Sequence, residues 1–148
     1  MLCFANKTMN FLYIMCVLGL GVFLAGCADR EQVNDALSAS CQKGISYLLG
    51  QYSMIKSVEE ASFTKLAGKD DGDIRVELDV IVDENHLDVR KSYSCNFFVK
   101  TGFLNSSFSA NIVQIDMGNG EIYGRKDGQI YGGMNKWLNI TKEAESAL

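Results

Sequence analysis

The chain has no proline and a single histidine, His86. Without proline, every turn must rest on Gly, Asn or Asp, and no polyproline segment can form. One histidine leaves little for acid–base catalysis at neutral pH, which usually recruits that side chain. It also leaves too few ligands for a zinc centre, which needs three or four. His86 falls in the turn Asp83-Glu84-Asn85-His86, where a polar ring is ordinary. Concentrated positive charge is missing too. The net charge is −4, and all 18 acidic residues lie beyond Cys27. A mildly acidic surface of mixed sign disfavours nucleic acid, which needs a clustered basic face. Gly118-Asn119-Gly120 is followed by neither Lys-Ser nor Lys-Thr, so it is no phosphate loop. Asp70, Asp71 and Asp73 supply too few alternating oxygens for a calcium loop. No serine elbow occurs. No metal, cofactor or catalytic residue is therefore expected.

Long apolar runs are scarce as well. The one that exists, Phe11 to Leu24, falls short of the ~20 residues that span a bilayer comfortably. Lys7 precedes it, and Leu24-Ala25-Gly26-Cys27 ends it. Two small residues before a cysteine suit a peptidase with a narrow cleft, and the thiol suits diacylglycerol transfer. This stretch resembles the signal of bacterial lipoproteins. The resemblance covers residues 1 to 28 and implies a removed signal peptide over 1–26. It further implies acyl chains (palmitate among them) on Cys27, a lipidated tether over 27–32, and one domain over 33–148. Several chains on one residue anchor firmly where a single chain would not. A retained transmembrane segment is the alternative. Ala28 follows the cysteine and Asp29 comes one later. Similarity to the enterobacterial sorting rule then favours the outer membrane over the inner one, with the domain facing the periplasm.

Of the five cysteines, Cys3 and Cys16 would leave with the signal and Cys27 would carry lipid. Cys41 and Cys95 remain, and an exported pair is more often a bridge than a redox or metal site. Their positions can be judged from the patterning. Val33, Leu37, Cys41, Ile45, Leu48 and Tyr52 step at helical spacing, placing Cys41 on a buried helix face. Gly44 on that stripe suggests close approach to a strand, and Gly50 a helix end. Ile74, Val76, Leu78, Val80 and Val82 alternate with polar residues, as in a half-buried strand. After the turn at His86, Leu87, Val89, Tyr93, Cys95, Phe97 and Val99 line one face of a second long strand. Lys91 interrupts that face and is expected to snorkel. Both cysteines thus face the core.

The rest is shorter. Ser57-Val58-Glu59-Glu60 has the form of a capping box and predicts a turn or two of helix, then a strand over Ser62 to Leu66. Gly68 to Gly72 and Asn105-Ser106-Ser107 read as turns. Phe108 to Met117 reads as a strand whose alternation slips between Ile112 and Val113, as at a bulge. Asn119 to Gly124 recurs as Asp127 to Gly132, two turn-and-strand units of a meander. Met134 to Leu148 predicts a helix burying Trp137, Ile140, Ala144 and Leu148.

The expected fold is α+β: an N-terminal amphipathic helix packed on a mostly antiparallel sheet of about five strands, closed by a short C-terminal helix. The expected function is that of a non-catalytic envelope lipoprotein with a protein partner, an accessory or assembly component at the outer membrane. A periplasmic inhibitor or carbohydrate-binding lipoprotein is the alternative. Tyr123, Arg125, Tyr131 and Trp137 form the candidate binding surface, since flat aromatic faces beside a cation can stack on sugars or pack on a partner. Ile81 and Phe98 form a second candidate patch, unless the C-terminal helix covers them.

Overall fold

The computed structural model describes residues 30–66, 72–102 and 107–148. Helix α1 (Arg30–Leu49) leads through a 3₁₀ turn (Gly50–Tyr52) into six strands. These are β1 (Ser53–Lys65), β2 (Asp73–Glu84), β3 (Leu87–Thr101), β4 (Phe108–Asp116), β5 (Ile122–Lys126) and β6 (Gln129–Tyr131), and helix α2 (Met134–Glu145) ends the domain. The strands form one antiparallel meander in chain order. The expected architecture is thus observed with one strand more than anticipated. Cys27 and the turn residues 68–71 and 103–106 lie outside the described residues.

Helix α1 buries Leu37, Ser40, Cys41, Gly44 and Ile45. It starts at Arg30, so residues 30–32, expected in the tether, form its first turn. Gly50 adopts φ +71° and ends the helix as its sequence suggests. That turn throws Tyr52 out of the apolar stripe; it is 79% exposed. A Cβ on Gly44 would lie 2.8 Å from Ile115 Cδ1 and 3.7 Å from Ala144 Cβ. The glycine therefore lets α1 press against β4 and α2 together. Both helices share one face of the sheet, and the opposite face carries no helix among the described residues.

Strand β1 corrects the expected capping-box helix. Ser57 to Glu60 is strand, and the strand begins at Ser53 instead of Ser62. Its register against β2 shifts between Ile55 and Ser57 and again between Val58 and Glu60. Two extra residues, Lys56 and Glu59, bring Ile55, Val58, Ala61 and Phe63 opposite the inward residues Val82, Val80, Leu78 and Val76. Each bulge stretches the apolar spacing from two residues to three, which imitates a helix. The Ser57 hydroxyl, read as a cap, donates to Glu59 Oε1 at 2.7 Å.

The long hairpin follows its pattern. Val76, Leu78, Val80, Val82, Tyr93, Cys95, Phe97 and Val99 are all buried. Asn85 and His86 make a two-residue turn with φ of 54° and 67°, and the His86 amide donates to Asp83 Oδ1 at 2.9 Å. Lys91 reaches the rim and pairs with Glu84, which raises its pKa. Leu87 has inward parity but lies beyond the end of α1, and is 68% exposed. The bulge in β4 falls where the alternation slips: Phe97 faces Ile112 while Asn96 faces Gln114, leaving Val113 extra. Leu148 lies past the end of α2 and is exposed, so the helix buries only Trp137, Ile140 and Ala144.

Cys41 and Cys95 are disulfide-bonded, with Cα atoms 5.8 Å apart. Both are fully buried. The bond joins the middle of α1 to the middle of β3, a helix-to-sheet staple.

Candidate interaction surface

The four residues expected to form one surface separate into two groups. Tyr123 lies inward of β5, opposite Ile115, and its ring packs against Gly132. The Lys136 ammonium sits 4.5 Å from the ring centroid and donates to Tyr123 Oη at 3.3 Å. That ring is occupied by its own chain. Tyr131 stands on the terminal strand opposite Gly124, half exposed. The two tyrosines therefore form no common stacking platform. Trp137 belongs to the core (9% exposed), lying over Gly124 because that residue has no Cβ to fill the space.

Arg125 and Trp137, by contrast, are brought together. They line a cavity of about 410 Å³ with Asp73, Phe98, Asn111 and Val113. Its origin is a difference in strand length. β5 pairs with β4 only from Gln114 to Asp116, opposite Ile122 to Gly124, and then turns into β6. Phe108 to Val113 therefore has β3 on one side and no strand on the other among the described residues. Lys100 lies over the Phe98 ring at 5.3 Å. Neither Arg125 nor Lys126 has an ion-pair partner among the described residues.

Ile81 and Phe98 do not make one patch. Ile81 faces Arg90 and Phe98 faces Asp73, a separation of eight residues along β3 or roughly 27 Å. Helix α2 covers neither, because it lies beside α1 on the other face. The sheet between them is polar. Arg75 Nε donates to Asn96 Oδ1 at 3.1 Å, and Asn96 Nδ2 to Gln114 Oε1 at 3.5 Å.

Two further openings flank α1. At its N-terminal end a groove of about 460 Å³ has apolar walls of Val33, Phe63, Ile74, Val99 and Phe108. At its C-terminal end a cavity of about 530 Å³ is lined by Leu48, Leu49, Tyr93 and Met117. The Tyr93 hydroxyl is buried without a hydrogen-bond partner, and its burial raises its pKa.

Chemistry has few footholds here. Among the described residues no three His, Cys, Asp or Glu side chains converge on a metal-sized site. Glu59 and Glu60 are successive strand residues and do not face each other; Glu59 lies 3.9 Å from the Arg90 guanidinium. No described helix is long and apolar enough to cross a membrane.

The fold and surface define an α+β domain: two helices on one face of a six-stranded meander, stapled by a disulfide. No family model matches the chain, and no curated protein or solved structure is significantly similar to it. The open edge of β4 escapes a reading of composition. Its trace in the sequence is the mismatch between a long β4 segment and the short Ile122-to-Lys126 unit that follows.

Proposed function

We propose that this chain is a non-catalytic lipoprotein of the bacterial envelope, anchored through acyl chains on Cys27, with a domain that binds another protein. The box Leu24-Ala25-Gly26-Cys27 carries the reading. The Cys41–Cys95 disulfide supports it, since such bonds persist in oxidising compartments and are rare in the cytosol. The outer membrane is the expected site, and an accessory or assembly role the expected task. The uncovered sheet face and the open edge of β4 offer the surface for such a partner.

Replacing Cys27 by alanine tests the anchor. The variant is expected to accumulate as the unprocessed precursor and to take up no fatty-acid label in cells. Normal maturation of Cys27→Ala would end the lipoprotein reading.

A further inference from the structure

The free flank of β4 has a definite hydrogen-bonding phase. Gly102 N donates to Ser107 O at 2.8 Å across the β3–β4 turn, so that pair exchanges backbone bonds. Val99 N donates to Gly72 O at 2.8 Å, on the β2 side. Bonded and non-bonded pairs alternate along an antiparallel ladder. Lys100–Ser109 and Phe98–Asn111 are therefore bonded pairs, while Thr101–Phe108, Val99–Ala110 and Phe97–Ile112 are not. It follows that the N–H and C=O groups of Phe108, Ala110 and Ile112 point away from β3, into a lane that no strand among the described residues fills beyond Gly124. No backbone or side-chain bond to these groups exists among the described residues.

Three donors and three acceptors in a row form a template for one more strand. The surroundings select its chemistry. The cavity beside the lane has Phe98 and Trp137 in its walls, which suit an apolar side chain. Arg125 lines it from β5, beside the lane, without an ion-pair partner among the described residues; Asp73, the other charged residue of the lining, stands on β2, on the far side of β3. The geometry points to the β4 edge, Phe108 to Ile112, as the docking site for an extended acidic segment of a partner protein, which adds as a strand between β4 and the departing β5. Its apolar residue enters the cavity and a carboxylate meets Arg125. This inference rests on the protein-binding reading above and names the surface and the kind of partner.

The test uses the full mature chain, purified from envelopes in detergent and immobilised, against a display library of random decapeptides. Selected peptides are expected to be proline-free and to carry Asp or Glu beside an apolar residue. In hydrogen exchange of the free protein, the amides of Phe108, Ala110 and Ile112 should exchange faster than those of Ser109 and Asn111. A bound peptide should slow the first three. Arg125→Glu should weaken binding about tenfold, the ~1.4 kcal/mol of a charge contact turned repulsive. Ala110→Pro should abolish binding by removing the central donor; the charge variant decides the matter if that protein does not fold. Selection of no peptide, binders without acidic residues, or protection that falls elsewhere would overturn the assignment. Peptides bound at another face would do so while leaving the protein-binding reading intact. Maturation of Cys27→Ala bears on the anchor alone.

Discussion

Breaking the Cys41–Cys95 bond should remove a large share of this domain's stability. The bond closes a loop between residues 54 apart in sequence. On the chain-entropy account, releasing a loop of that length returns about 4 kcal/mol of conformational freedom to the unfolded chain. Both sulfurs lie in the core between α1 and β3, so truncation to alanine also removes packed atoms. Serine would add a buried hydroxyl with no partner, at a further ~1–3 kcal/mol. For a domain of this size a loss of about 4 kcal/mol lowers Tm by on the order of 15 °C. The assay is urea and thermal unfolding of the wild type with and without reductant, beside Cys41→Ala, Cys95→Ala and the double variant. Because the loop opens with the first cysteine removed, the two single variants and the double should fall together. The reduced and variant proteins should also show a larger urea m-value, as their unfolded chains expose more surface. Additive losses from the two single variants would refute the reasoning. So would a double variant within about 1 kcal/mol of wild type, or two reactive thiols in the exported protein.

Three other outcomes test the packing and the charges. Gly44→Leu should destabilise by about 1–3 kcal/mol in denaturant, because even its first carbon would sit 2.8 Å from Ile115 where α1 meets β4 and α2. Gly124→Ala should lose about 2–4 kcal/mol, from φ of +103° and from a Cβ placed 2.7 Å from the Trp137 ring. Gly128→Ala, with φ of +78° but nothing within 4 Å, should lose only the conformational part, so equal losses would dismiss the clash. Lys56 hydrogen-bonds Asp88 and Asp83, which raises its pKa, and the same contact holds Asp83 below the usual carboxylate range. A lowered carboxylate pKa adds stability above its unfolded value near pH 3.8 and loses it as pH falls through the folded value. Melts of wild type and Lys56→Met should therefore differ slightly at pH 7 and converge in acid. A gap that widens below pH 4 would contradict this.

How legible each element was in the sequence depended on whether its side-chain period survived into the sheet. β2 and the second half of β3 keep a strict alternation, because every bulge falls on their partners β1 and β4, so their inward residues and the facing of Cys95 could be read directly. Cys41 was equally plain on a helix whose apolar step holds from Leu37 to Ile45. β1 was unreadable as a strand because two bulges gave its apolar residues a helical spacing. Leu87, Tyr52 and Leu148 carried the right parity yet lie past the ends of the elements that would cover them, and parity says nothing about where cover stops. Trp137, read as both a buried helix residue and a surface aromatic, is the former because Gly124 makes room for it. The β4 edge could not be foreseen from β4 alone, since an edge is a property of the neighbour that ends early.

Among the described residues the sheet has three exposed edges, and they are handled differently. β1 is the longest edge, but Lys56 and Glu59 sit at its bulges and Glu60 follows, so a straight incoming strand meets irregular spacing and charge. β6 is only three residues long, too short to template a ladder. Bulges, charges and short length are the ordinary means by which sheets avoid pairing with strangers. β4 has none of them over Phe108 to Ile112: the segment is regular up to Val113 and carries no charged residue. A cation stands across the lane, on Arg125, where it favours an acidic strand without blocking the ladder. An edge left open by neglect would lack such a gate. A regular unpaired lane bordered by a cation is what a specific acidic partner requires.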